Sequence, residues 1–537
     1  MTLATRTEPS DAGYWRDHPV RVSGVGPTLL ASLAEIPVHE HRRLDIPVMT
    51  PFTGARLGVI PHCTPSDAAL AARRARAAQP AWAARSVGER AGILLRFHDL
   101  LLARQDQALD LIQLECGKAR RGALEEVIDT SLVARYYGLH AERLLRPRRR
   151  AAGLPLITSA WELRQPVGLV GVVAPWNFPL ILSITDLLPA LAAGNAVVLR
   201  PDEQSSFTAL WAVALLREAG LPADILQVVT GPGGELGPAL IDLVDFVMFT
   251  GSTRTGRVVA RQAAERLVGC SLELGGKNPM IVLDDADVDA AAEGLVRGAF
   301  AGAGQVCVSI ERVYLPRAMF QPFAERLVER IRAMRISPAL SYDVDMGSMT
   351  VERQVASVER QVADALAKGA TLLAGGRRRP DLGPLFYEPT VLTGVTPDMT
   401  MFAEETFGPV VALYPYDSEE QAIALANDTR YGLNASVWSR RPRRAVAVAR
   451  RIRAGTVNVN EGYAGTWTAT ASPIGGMKQS GLGRRHGAEG ILKYTEAQTI
   501  AVQRLLPLAP PAFLDESTYA RWLPRVVGLM RHIPGLR

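Results

Sequence analysis

Two residues in the middle of the chain carry reactive groups in surroundings that suit chemistry. Cys307 lies in FAGAGQVCVS and Glu273 in SLELGGKNP, each among small side chains. A nucleophilic thiol needs open backbone around it, and a base or positive field to become thiolate. A carboxylate in an apolar setting has a raised pKa and can act as general base. The pair would therefore bond to a substrate through sulfur and activate a second reactant through the carboxylate. The remaining cysteines read differently. Cys63 and Cys270 are expected as small buried hydrophobes, and Cys116 as structural, at a helix end before Gly117. No CxxC or Cys/His ligand spacing occurs, so no metal is expected.

A bound dinucleotide would need a glycine-rich turn after a strand and before a helix, so that backbone N–H groups meet the pyrophosphate. Two segments offer that context. VVTGPGGELG carries Gly231, Gly233 and Gly237, a GxGxxxG departure from the GxGxxG pattern. FTGSTRTG carries Gly251 and Gly256, with Ser252 as a donor.

These residues must be held by a larger frame. From about Ala68 to His140 apolar residues recur at three- and four-residue steps, which predicts helices. PVGLVGVVAPW, NAVVLRP, ILQVVTG and DFVMFTGS read as short buried strands with helices between them. NPMIVLDDA, RVYLPR, FYEPTVL, GPVVALYPY and GTVNVN form a second such set. Alternation of this kind predicts an α/β fold of two doubly wound lobes with a cleft between them.

The chain has 537 residues, 48% hydrophobic and 21% charged, which fits a globular protein of two or three domains. Its net charge of +6 is spread too widely for a nucleic-acid face. The one tight basic group, Arg146, Arg148, Arg149 and Arg150, reads as an exposed strand edge or turn around Pro147. The N-terminus has no apolar leader, no run reaches the length of a membrane span, and the few scattered cysteines suit a reducing compartment. The expected location is the cytoplasm.

PWNFP (175–179), ELGGKNP (273–279), GQVC (304–307), EETFGP (404–409) and PIGGMKQSGLGR (473–484) stand in the order and spacing of a known series. Over residues 45 to 505 the chain resembles the aldehyde dehydrogenase superfamily. The resemblance implies NAD(P)-dependent oxidation of a small aldehyde to a carboxylic acid. It makes Cys307 the nucleophile that forms a thiohemiacetal and then a thioester, Asn177 the side-chain donor of the oxyanion hole, and Glu273 the base that activates water. It lays Trp176, Gly231, Gly251 and Ser252 along the cofactor, puts Glu405 on the nicotinamide ribose and Phe407 against the nicotinamide, and gives Lys277 a structural part. In RPDEQS, Arg200 replaces the usual lysine and Glu203 would accept from the adenosine-ribose hydroxyls. A carboxylate there repels a 2′-phosphate, so NAD is expected ahead of NADP, although Arg200 could pair with that phosphate. A non-enzymatic binding protein would have lost Cys307 or Glu273, and retention of Glu273 favours water over a coenzyme A thiol.

SIERVY, GPLFYEPTVLTGV and GTVNVNEGYA resemble the second actinobacterial type of succinate-semialdehyde dehydrogenase. The alternative is a different aliphatic or aromatic aldehyde, because Thr185 and Ala301 stand where better-known enzymes of that kind have arginines. Arg135 is the substitute anchor considered for the substrate carboxylate; Phe178, Tyr136, Thr185, Trp467 and Thr468 are the expected tunnel residues. Asp186 and Arg485 occupy positions usually held by Lys and Glu, which suggests a reversed ion pair near the water path.

The resulting domain plan is an N-terminal arm (1–40), a dinucleotide-binding domain (41–142 and 165–273), a catalytic domain (274–482), a small β oligomerisation element (143–164 and 483–506) and an amphipathic tail (507–537). The resemblance implies a homodimer or homotetramer. In the tail, Trp522, Val526, Leu529, Met530 and Ile533 lie near helical spacing. Docking on its own protein is expected, with a peripheral membrane contact as the alternative.

Overall fold

The computed structural model describes residues 24–39, 44–154, 158–503, 509–510 and 513–532. Most of the expected arm, and Pro507 and Ile533 of the tail, lie outside these. The described part of the arm is packed rather than free. Helix Pro27–Leu33 starts on a proline and buries Leu30 and Leu33, and Val38 donates its N–H to Val228 O at 2.8 Å.

A hairpin of β1 (Asp45–Met49) and β2 (Arg56–Pro61) leads into four helices, Pro65–Ala83, Val87–Ala103, Gln105–Cys116 and Arg120–Leu145. Capping boxes at Thr64 and Ser86 start the first two, where the N3 acid answers the cap residue's N–H. Gly117, at φ 74°, ends the third in the left-handed conformation. β3 (Arg148–Arg150) is a fully exposed edge strand, as the arginine run suggested, and pairs with β4 (Thr158–Pro166).

β5 (Leu169–Val173), β6 (Ala196–Arg200), β7 (Leu226–Val228), β8 (Phe246–Thr250) and β9 (Gly269–Glu273) are mutually parallel. Each of the first four is buried throughout, hence the unbroken apolar runs. β10 (Asn278–Val282), β11 (Ile310–Pro316), β12 (Thr371–Ala374), β13 (Thr390–Thr393), β14 (Val410–Tyr416), β15 (Asn434–Trp438) and β16 (Thr456–Val459) build a second sheet in the order β12-β13-β14-β11-β10-β15-β16. Only β12 runs antiparallel in it. β17 (Gly481–Leu482) then returns antiparallel to β9, and β18 (Thr495–Gln503) pairs along the whole of β4.

The first sheet reads β17-β9-β8-β5-β6-β7. The chain leaves β5 toward β6 on one side and later lays β8 on the other, so the switch point lies between β5 and β8. Ligands of open α/β sheets sit outside the strand carboxyl ends at such a point.

In the tail, helix Glu516–Met530 forms, capped by Asp515, and Trp522 remains 57% exposed. No residue of this helix is buried within the single chain. No described helix is long and apolar enough to cross a membrane.

Candidate functional site

The switch point delivers the first site residue. β5 ends at Val173, and Trp176 and Asn177 follow directly, both buried. Helix Pro179–Ile184 then starts with proline at its first turn. Its opening N–H groups are satisfied from another element: Glu126 accepts from Leu180 N at 2.9 Å and Ile181 N at 3.2 Å. Glu126 is itself paired with Lys118 at 2.6 Å, and Lys118 donates to the Asn177 carbonyl at 2.8 Å. The Asn177 side-chain amide points across to Gln305 O at 2.9 Å, two residues before Cys307.

Glu273 is the last residue of β9, opposite Gly481 of β17. Gly475 leaves room for it, since a Cβ there would lie 3.2 Å from Glu273 Oε1. Cys307 is delivered by a strained turn. Gly302, Ala303 and Gly304 have φ of 55°, 54° and 71°, and a side chain on Gly304 would meet Gly408 O at 2.0 Å. Asn278 clamps the far side, donating to Cys307 O at 2.8 Å and Ser309 O at 2.7 Å.

Cys307, Glu273 and Asn177 thus line one cleft. Burial, followed by the charges of Glu273 and Glu405, pushes the Cys307 thiol up to about 12, with Arg485 opposing. Burial pushes Glu273 up to about 7 against the pull of Arg485 and Lys493. The carboxylate is therefore poised as a base near neutrality. The sulfur rests as a thiol, and its ionisation must come from a base or an arriving positive charge.

A nicotinamide dinucleotide fits the groups beside this cleft. β7 and β8 each end in a glycine turn opening a helix, Gly233–Ile241 and Thr253–Glu265. Gly231 takes φ 153°, Gly251 packs where a Cβ would strike the Phe249 ring at 2.6 Å, and Ser252 Oγ accepts from Thr255 N at 3.2 Å as the helix cap. Arg200 is buried, donates to Gly231 O and pairs with Glu203, whose side chain stays about one-third exposed. Glu405 accepts from Gly276 N at 2.9 Å, and burial together with Glu311 raises it to about 8. Phe407 meets Trp176 edge-on with ring centroids 5.7 Å apart. Lys277 holds this segment: it pairs with Glu311 at 2.5 Å, and Glu311 accepts the N–H groups of Thr406 and Phe407 at 3.0 Å.

Among the expected tunnel residues, Phe178 and Trp467 line the cleft and pack edge-on at 6.2 Å. Three others do not line it. Tyr136 stacks on His140 and meets Tyr137 edge-on within the helical core. Thr185 lies behind the wall, its hydroxyl accepting from Arg485 Nη2 at 2.5 Å. Thr468 is exposed; Thr466 takes the wall position. Arg135 is also exposed on its helix, so it contributes no charge to the cleft. The reversed pair does form: Arg485 Nη2 and Asp186 Oδ2 are 2.8 Å apart with side chains 10% and 3% exposed, and Lys493 joins Asp186 at 3.3 Å. Burial alone would raise Asp186, but Arg485 and Lys493 outweigh it and hold the carboxyl ionised. Sequence reasoning missed Asn278, the Lys118–Glu126 brace, and the cleft residues Asp129 and His486. Asn278 lay inside a quoted motif and His486 stands next to Arg485 in the run GRRHGAEG; the others had no local signal.

Residues 38–500 match the aldehyde dehydrogenase family. A Mycolicibacterium smegmatis protein provisionally named succinate-semialdehyde dehydrogenase (NADP+) is 50% identical over 92% of this chain and 95% of its own length. A Mycobacterium tuberculosis relative, with the same provisional name and the number 2, is 46% identical over 95% and 97%. Among solved structures, an NADP-dependent enzyme of E. coli is 36% identical with a TM-score of 0.82, covering 86% of this chain and 95% of the other. An NAD+ complex of a Bacillus cereus aldehyde dehydrogenase is 33% identical at 0.83, covering 89% and 99%. The chain belongs to the aldehyde dehydrogenase family and is an NAD(P)-dependent oxidoreductase acting on aldehydes.

Proposed function

We propose that the chain oxidises succinic semialdehyde to succinate with NAD, in the cleft where Cys307, Asn177 and Glu273 meet. That convergence of three groups from distant parts of the chain is the observation that carries the reading. Cys307 attacks the aldehyde carbon. The Asn177 amide and the Cys307 N–H steady the developing oxyanion, each donor worth about 3 kcal/mol in the transition state. When bound, the dinucleotide accepts the hydride. Glu273 then draws a proton from water, which hydrolyses the thioester on sulfur.

Two relatives' provisional names support the substrate. Arg485, held protonated by Asp186, Glu273 and Asp129 against its own burial, is the permanent cation of the cleft wall and attracts a carboxylate-bearing aldehyde. Glu203, exposed enough to reach a ribose, supports NAD; those relatives' names carry NADP+. We assign residues 41–142 and 165–273 to the dinucleotide, 274–482 to catalysis, and 143–164 with 483–506, which carry β3, most of β4 and β18, to a homodimer or homotetramer contact in the cytoplasm. The test compares succinic semialdehyde with butanal, and NAD with NADP, by kcat/KM read at the reduced nicotinamide. Succinic semialdehyde with NAD should lead by at least about tenfold. Equal values for the two aldehydes would overturn the substrate, and an NADP preference the cofactor.

A further inference from the structure

Helix Arg120–Leu145 presents one acid to the cleft. Asp129 is 4% exposed and lines the same wall as Glu273, Arg485 and His486. On each of the four, one polar atom is buried without a hydrogen-bond partner: Asp129 Oδ1, Glu273 Oε1, Arg485 Nε and His486 Nδ1. Buried polar atoms are otherwise nearly always paired. Four of them on one wall, all polar and close to the reacting groups, make a seat for bridging water.

Two of the four cannot store a proton. Arg485 is already charged, and burial with Arg485 alongside pushes His486 down to about 3, so its ring stays neutral. Asp129 differs. Burial raises its carboxyl to about 7, opposed by Arg485 and reinforced by Glu126 on its own helix and Asp186 from the chain after Asn177. Lys493 lies beyond Asp186, and Tyr137, two turns along the helix, is engaged with Gly487 O. Aldehyde, oxidised nicotinamide and water give carboxylate, reduced nicotinamide and two protons. One proton leaves as the thiohemiacetal hydroxyl becomes the thioester carbonyl, the other as the thioester is hydrolysed to carboxylate and thiol. Glu273 holds one proton at a time and must be cleared.

We propose that Asp129 receives, through water seated against these four atoms, the proton that Glu273 takes from the attacking water. The step moves only a proton, from the Glu273 carboxyl to the Asp129 carboxylate, and leaves Glu273 ready for the next attack; the departing Cys307 sulfur takes the proton of the product acid and returns to thiol. It rests on the roles proposed for Cys307 and Glu273, and the experiment separates the two.

Hydrolysis of p-nitrophenyl acetate by the NAD-loaded protein, where the nicotinamide's positive charge favours the Cys307 thiolate, shows acylation of Cys307 as a burst and deacylation as the steady phase. Asp129→Asn should keep the burst and slow the steady phase at least about tenfold, with Asp129→Glu restoring most of it. Below neutrality the steady rate should fall with slope two in log units for the native protein and slope one for D129N. A D129N steady phase equal to native, while Glu273→Gln is slowed, overturns the proposal alone. Loss of selectivity between E273Q and the Cys307→Ser control overturns the underlying roles. Should D129N not fold, the native protein still decides: a curved dependence of the steady rate on deuterium fraction means several protons in transit, and a straight one overturns the relay.

Discussion

Replacing Arg485 by Gln removes one half of an ion pair whose side chains are 10% and 3% exposed and whose atoms are 2.8 Å apart. An uncompensated buried charge costs about 3–5 kcal/mol. Lys493, at 3.3 Å from Asp186, stays behind and offsets part of that, so about 2–3 kcal/mol is expected for R485Q. Asp186→Asn leaves two cations together and should cost at least as much. The double variant D186N/R485Q strands no carboxylate, so denaturant unfolding should give a coupling of about 2 kcal/mol. Lys493 also explains why simple charge reversal is a poor test: a lysine at 186 would face it. The kinetic consequence has a definite sign. Arg485 holds Glu273 below the value that burial alone would set, and Glu273 works only when ionised. Without Arg485 the acid limb of the deacylation profile, near pH 7, should move to higher pH; without Asp186, which raises Glu273, it should move lower. Additive stabilities within about 0.5 kcal/mol, together with unmoved limbs, would refute the reasoning.

With no cofactor, the thiol at about 12 predicts iodoacetamide alkylation of Cys307 that climbs tenfold per pH unit up to pH 10 without a plateau; a plateau near 8 would contradict it. Asn177→Ala should lower kcat about a hundredfold or more with little change in KM, measured by steady-state kinetics. Gly304→Ala puts a methyl 2.0 Å from Gly408 O, and expression should give protein with lost activity and a lower Tm, whereas Gly153→Ala, in open space away from the cleft, should change neither. Truncation before Phe513 should leave Tm unmoved by calorimetry, because helix Glu516–Met530 buries nothing.

The strands were legible because burial on both faces removes alternation and leaves runs such as LVGVV and AVVLR. Cys307 and Glu273 were legible because reactive groups that must be approached sit among glycines and alanines. Asn177 was read only from its motif, since nothing about an Asn after Trp announces an oxyanion donor. Asp129 was invisible: it occupies a helix whose sequence shows a buried face without showing what that face meets. Tyr136 failed for the same reason, as an aromatic at the right spacing packs on Tyr137 and His140 as readily as on a substrate. The tail helix was legible as a helix with an apolar face, but helical spacing of apolar residues states that a face exists, not what covers it.

The meeting of Gly304 with Gly408 has a mechanical consequence. The stretch that presents the sulfur and the stretch that carries Glu405 and Phe407 touch main chain to main chain, with no side chain between them to absorb movement. Lys277 and Glu311 tether that second stretch from below. Whatever tugs on Glu405 therefore shifts the nucleophile as well, so substitutions there should retune how fast the sulfur reacts although they never touch it.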